Sequence, residues 1–280
     1  MTEMYRVSKV LNNNGVIAID MDENKEYVIL GKGVGFGKKV SQRFDKPQEC
    51  TMYRLAQETE RGSAKELVKG IEPEYLEIAD AILTESQKVF GDSIDRGILF
   101  PLADHISFAV ARIRRNEQIS NPLTEDIKVL FYSEFKVAET LKTILRERLQ
   151  IEIDDHEVGY VALHIHSAIG DEKVSVAMQT ARAVRECIDM IEKATGKPID
   201  VLSLSYNRLM NHMKYMVARA STGEKLNLDM NEYMLDQYPQ AYKVATDICK
   251  NLEGCIGHKL DETETGYLAM HIQRVYKDAV

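Results

Sequence analysis

From Tyr5 to Leu11 the chain alternates apolar and polar residues, a period of two that predicts a half-buried strand. Asn12-Asn-Asn-Gly15 interrupts the alternation with residues that tolerate the left-handed conformation, so a turn is expected there. Val16 to Ile19 and Tyr27 to Leu30 follow as short apolar runs, divided by the polar turn Asp22-Glu-Asn-Lys25. Glycine then occupies every second position from Gly31 to Gly37. Cys50 to Leu55 supplies a last strand and completes a predicted four-stranded antiparallel sheet. A sheet of this size is marginal alone and gains from pairing with a copy of itself. Gln57 to Ser63 is polar and reads as a linker.

Beyond it the period changes to that of a helix. Residues 64–89 place Leu67, Ile71, Tyr75, Ile78 and Ile82 on one face. His105 to Arg112, Phe131 to Arg148 and Glu157 to Ala168 continue the pattern, and residues 171–280 do likewise. Pro198, Pro239 and several glycine-containing joints bound the helices.

The helical part is one module written twice, at an offset of 107 residues. His105-Ile-Ser-Phe-Ala-Val-Ala-Arg112 returns as His212-Met-Lys-Tyr-Met-Val-Ala-Arg219. Glu157-Val-Gly-Tyr-Val-Ala-Leu-His164-Ile returns as Glu264-Thr-Gly-Tyr-Leu-Ala-Met-His271-Ile. Between them, Phe135-Lys-Val-Ala138 returns as Tyr242-Lys-Val-Ala245, with no gap in register. The expected architecture is therefore multidomain α+β: a small antiparallel β-sheet domain over residues 1–57, then two homologous all-α helical bundles over 64–170 and 171–280.

Composition narrows the class. A chain of 280 residues with 44% hydrophobic and 29% charged residues is long enough for real cores and suits a globular protein. No apolar run reaches a membrane span, and the start of the chain lacks the cationic and apolar pattern of a secretion signal, so no membrane insertion is expected. Cys50, Cys187, Cys249 and Cys255 form no CxxC pair, which fits a reducing cytoplasm. Residues 1–57 hold nine basic against seven acidic residues, while the remainder holds 27 against 37. A mildly basic head precedes an acidic body.

Candidate chemistry centres on the repeated histidines. On a helix, Tyr160 lies one turn before His164 and Glu157 about two turns before it; Arg112 lies two turns after His105. An imidazole beside an arginine and a carboxylate can be oriented, and as the free base it can accept a phosphoryl group. A lone histidine in such a position is most simply a hydrogen-bonded core residue. Two per module, in two modules, beside Glu, Tyr and Arg, favour function. His156, His166 and His258 do not repeat as histidines and read as surface or incidental. A metal-dependent His/Glu enzyme is the remote alternative: His156, Glu157, His164 and His166 resemble a ligand set, but an HExxH motif needs histidine where Tyr160 stands. No metal, cofactor or catalytic residue is expected. The glycine-rich run fails as a phosphate-binding loop, because Lys32 occupies the first glycine position and Lys39 the Ser/Thr position. It suits RNA better: Phe36 offers a stacking face, Lys32, Lys38 and Lys39 phosphate contacts, and Asn14 hydrogen bonds. A scaffold whose head pairs with protein is a further alternative.

Leu11-Asn-Asn-Asn14, Leu30-Gly-Lys-Gly-Val-Gly-Phe-Gly-Lys-Lys39, Asp104-His105 and Ala162-Leu-His-Ile-His-Ser-Ala168, with the repeated histidine blocks, carry a resemblance along the whole chain. The chain resembles the BglG/SacY/LicT family of transcriptional antiterminators, and most of all its glucose-operon branch; β-glucoside and sucrose operons are the alternatives. The resemblance implies that a dimer of the head clamps a hairpin in nascent mRNA and prevents a terminator from forming. It implies RNA contacts at Lys9, Asn14, Gly31, Lys32 and Phe36, where Lys32 replaces the arginine of some relatives. It further implies that the bundles are phosphotransferase regulation domains. Their phosphorylatable histidines would be His105, His164, His212 and His271, and their donors the phosphocarrier HPr and a sugar-specific enzyme II. Asn211 stands where the first module has Asp104, so the second lacks that carboxylate.

Overall fold

The computed structural model describes residues 4–55, 58–59, 62–117, 119–170, 173–200 and 203–278. The expected boundaries at 57 and 171 lie outside these residues. The chain divides into two compact units, Met1–Asn121 with Ser133–Lys173, and Pro122–Tyr132 with Val174–Val280.

In the first unit, β1 (Met4–Asn12), β2 (Gly15–Asp20), β3 (Glu26–Leu30), β4 (Arg43–Asp45) and β5 (Thr51–Arg54) form an antiparallel sheet in the order β4-β1-β2-β3-β5. The four strands expected are all present, as β1, β2, β3 and β5. The fifth, β4, was not predicted: three residues are too few to carry a period, and β4 exists by pairing Phe44 with Tyr5 at the edge of β1. Tyr5, Val16, Ala18, Ile29 and Val34 make the core, with Tyr27 edge-on to Tyr5 and Phe44 against it. Val16, Ile17 and Ala18 are consecutively buried, as a central strand requires.

The turn at Asn13 and Asn14 forms as expected, but neither residue is left-handed. A register shift between Val10 and Asn12 absorbs the twist, and the Asn12 carboxamide oxygen accepts the Asn14 N–H at 2.8 Å. The segment expected as a linker contains a small ribbon, β6 (Glu58–Thr59) against β7 (Gly62–Ser63).

The helical stretch expected over 64–89 is split into α1 (Ala64–Gly70) and α2 (Pro73–Phe90), because Pro73 disfavours helix at the residue before it and sits at the start of α2. Then come α3 (Leu99–Arg114), α4 (Thr124–Leu130), α5 (Tyr132–Ala138), α6 (Thr140–Leu149) and α7 (Asp155–Gly170). The second copy gives α8 (Val174–Thr195), α9 (Leu204–Thr222), α10 (Asn231–Gln237), α11 (Pro239–Ile256) and α12 (Thr263–Asp278). Short α4 and α10, unforeseen from periodicity, are counterparts in the repeat, yet α10 packs on α11 and α12 whereas α4 packs on α8 and α9. There Tyr206 donates its hydroxyl to Asp126 at 3.2 Å. Among the described residues no helix is long and apolar enough to cross a membrane.

Candidate functional site

In the first unit, α3 and α7 face each other and bring the predicted residues together. The His105 and His164 ring centroids lie 5.3 Å apart, and the Tyr160 ring is 5.8 Å from His105. His105 Nε2 is 3.5 Å from a Glu157 oxygen, and Arg112 donates to both oxygens of Glu157 at 2.8 and 3.2 Å. Asp154 starts this face by accepting the backbone N–H groups of His156 and Glu157 at 3.0 and 3.1 Å. Burial pushes the Glu157 carboxyl up, but its contacts with His105 and Arg112 overcome this and hold it below its ordinary value.

The second unit repeats the arrangement on α9 and α12. His212 and His271 stack with centroids 4.9 Å apart, and Tyr267 lies 5.2 Å from His212. Arg219 donates to both oxygens of Glu264 at 2.6 and 3.0 Å, and His212 Nε2 is 3.7 Å from that carboxylate. Burial, then His271 and Arg219, lowers His212 to about 3; burial, then Arg274 and Arg208, lowers His271 to about 4. Both rings are therefore neutral at pH 7, the form in which an imidazole nitrogen is nucleophilic.

His105, His164, His212 and His271 are only 8, 6, 6 and 9% exposed, which periodicity did not reveal. A charged Arg–Glu pair adjoins His105 and another adjoins His212, so neither of these two rings is enclosed by apolar groups alone. Two histidines read as incidental have defined partners: His166 Nδ1 lies 2.9 Å from Glu134, and His156 Nδ1 lies 3.2 Å from the Asn121 carbonyl. With His164 against His105, the supposed ligand set points to three different neighbours.

In the head, the loop 31–37 docks on the turn between β1 and β2. Gly31 N–H donates to the Asn14 carbonyl at 2.9 Å, Gly33 N–H to the Asn14 side-chain oxygen at 3.1 Å, and Gly35 N–H to the Asn13 carbonyl at 3.0 Å. A Cβ on Gly35 would lie 2.0 Å from the Asn12 carbonyl oxygen, so only glycine permits this approach. Asn14, Gly31, Lys32 and Phe36 thus share one loop cluster. Phe36 is 74% exposed, unusual for a large apolar ring, and Lys32 is exposed. Lys9 is exposed on β1, while Lys38 places its ammonium 4.8 Å over the Phe44 ring.

Comparison with known proteins matches one family model to the head and another twice to the helical part. The model of the CAT RNA binding domain matches residues 5–62, and that of the PRD domain matches 80–168 and 185–275. The chain is 30% identical over 274 residues to the GlcA/glcB genes antiterminator of Staphylococcus carnosus, covering 96% of this chain and 94% of that protein. It is 28% identical over 271 residues to protein GlcT of Staphylococcus haemolyticus, covering 96% and 95%. It is 27% identical over 278 residues to transcription antiterminator LicT of Bacillus subtilis, covering 98% and 100%. The crystal structure of GlcT CAT-PRDI aligns with a TM-score of 0.52 at 29% identity, covering 60% of this chain and 99% of that one.

Proposed function

The chain belongs to the family of transcriptional antiterminators that join a CAT RNA-binding domain to PRD domains, and from that premise we infer how its own residues carry the activity. It is an RNA-binding regulator of transcription, not an enzyme, under the control of the sugar phosphotransferase system. Residues 1–57 are the RNA-binding domain, and 64–170 and 171–280 the two regulatory modules. Lys9, Asn14, Gly31, Lys32, Phe36 and Lys38 contact a hairpin in nascent mRNA: Phe36 stacks on a base, the lysines meet phosphates, and the glycine backbone lets RNA approach. The working form is a cytoplasmic homodimer, each head contributing half of the RNA surface. The operon is of the glucose type, in keeping with the GlcT relatives.

His105, His164, His212 and His271 accept phosphoryl groups from HPr and a sugar-specific enzyme II. Phosphorylation of the first module inhibits when sugar is absent. The force is electrostatic. A phosphoryl group adds nearly two negative charges beside Glu157, whose oxygen lies 3.5 Å from His105, in a seam where little water screens them. Arg112 is drawn between the two anions, and the α3–α7 contact is biased toward another arrangement.

The observation that carries this reading is the recurrence of one geometry in both modules: two buried rings in contact, one of them beside an arginine-clamped glutamate. Mass spectrometry after incubation with phospho-HPr, with and without enzyme II, tests it by mapping each modified histidine. Modification confined to other residues would refute the assignment.

A further inference from the structure

The asparagines of the RNA-facing turn are already engaged, and by the helical body. Within the first unit, Asn12 Nδ2 donates to Glu77 Oε1 at 2.6 Å, and Asn14 Nδ2 donates to Glu77 Oε2 at 3.2 Å. One carboxylate on α2 thus spans two carboxamides of the head. Their oxygens are committed elsewhere: Asn12 Oδ1 takes the Asn14 N–H, and Asn14 Oδ1 takes the Gly33 N–H. What the turn presents outward is therefore a pair of N–H donors, held in place by the loop that carries Lys32 and Phe36. A paired-donor site of this kind fits an anionic or carbonyl oxygen, which is what an RNA phosphate or base edge supplies. Arg148 on α6, 3.8 Å from Glu77, partly balances the charge.

A second contact secures the same face one turn further along α2. Tyr53 of β5 donates its hydroxyl to Asp80, and Arg96 donates to Asp80 and to the Tyr53 oxygen, each at 2.8 Å. Glu77 and Asp80 are three residues apart on one helix, so they face the head together.

We propose that Glu77 occupies the Asn12–Asn14 donor pair as a stand-in for an RNA oxygen, so that RNA and the helical body compete for the same two amides. This rests on the RNA reading above and deepens it. The resting chain holds its RNA loop in the binding shape, yet binds only when α2 releases the turn. Whatever moves α2 then alters RNA affinity without any contact to RNA. Asn12, which the sequence did not single out, becomes a binding residue alongside Asn14.

The test uses the full chain and a labelled RNA stem-loop, selected on the wild-type protein from a pool with a randomised internal loop. Dissociation constants are compared at one salt concentration for wild type, Glu77→Ala, Glu77→Asp and Glu74→Gln. Glu77→Ala should bind about tenfold tighter, the loss of a competing charged hydrogen bond. Glu77→Asp keeps the charge but draws the carboxylate back by one methylene from the two amides, and should also tighten binding. Glu74 is exposed on the same helix and is not a hydrogen-bond partner of Asn12 or Asn14, so Glu74→Gln should stay within about twofold of wild type. In an Asn12→Ala/Asn14→Ala background the gain from Glu77→Ala should vanish. Wild-type binding with no gain from either Glu77 variant, or an equal gain from Glu74→Gln, overturns the competition alone. A pool that yields no ligand for any of these proteins overturns the RNA reading itself.

Discussion

Replacing Arg219 with Ala isolates the carboxylate of Glu264 in the second unit. That carboxylate is 1% exposed and the Arg219 side chain 13% exposed, and two hydrogen bonds join them. His212, whose Nε2 lies 3.7 Å from that carboxylate, is neutral at pH 7 and offers no compensating charge. Removing one partner of so buried a pair costs about 3–5 kcal/mol, whereas replacing both with apolar residues of similar volume is often near neutral. Arg219→Ala should therefore destabilise the α9–α12 seam by about 4 kcal/mol, and Arg219→Met with Glu264→Met by about 1 kcal/mol or less. In the first unit, Arg112 is 25% exposed and better screened, so Arg112→Ala should cost less, about 2 kcal/mol. A chain with two compact units has no single unfolding free energy, so the assay is native-state amide hydrogen exchange read at α9 and α12. His212 should report as well. Without Arg219 its proton affinity should rise above the folded value of about 3, visible by NMR titration. A double variant as unstable as the single one would refute the reasoning, because it would mean that packing, not an uncompensated charge, sets the cost.

The second unit should lose stability as pH falls from about 6.5, because His212 and His271 take up protons there only when unfolded. The loss is about 1.4 kcal/mol per pH unit per histidine, and the His212→Asn variant should show a shallower fall in its thermal midpoint between pH 6.5 and 5. Gly35→Ala should unseat the 31–37 loop from the Asn12 carbonyl, costing the head about 3 kcal/mol, and abolish RNA binding; NMR chemical shifts confined to that loop and turn would check it. Phe36→Ala should leave thermal stability within about 0.5 kcal/mol, since the ring is exposed, yet weaken RNA binding by about 1–3 kcal/mol in a titration. Lys32→Ala should reduce the slope of log K against log salt by about 1.

The residues themselves carried more of the candidate site than of the head's architecture. Two-turn spacing from His105 to Arg112 and from Glu157 to His164 places each pair on one helical face, and the packing of α3 on α7 then brings the two faces together. Because the spacing recurs in the second copy, so does the cluster. The four longer strands were legible from alternation or short apolar runs, whereas β4 depends on an edge offered by β1 and the two-residue β6 and β7 are too short to carry a pattern.

Partners distant along the chain were not legible. Nothing in Asn12-Asn-Asn-Gly15 indicates that its amides meet Glu77, sixty-odd residues later, since that contact is set by how α2 lies against the sheet. Nothing in the module pattern indicates that α4 joins α8 and α9 while its counterpart α10 joins α11 and α12. Burial of the four histidines is likewise a tertiary outcome, because a helix period says which residues share a face but not how closely another helix covers it. Local backbone geometry, repeated faithfully, was written in the sequence; the choice among competing nonlocal contacts belonged to the packed chain.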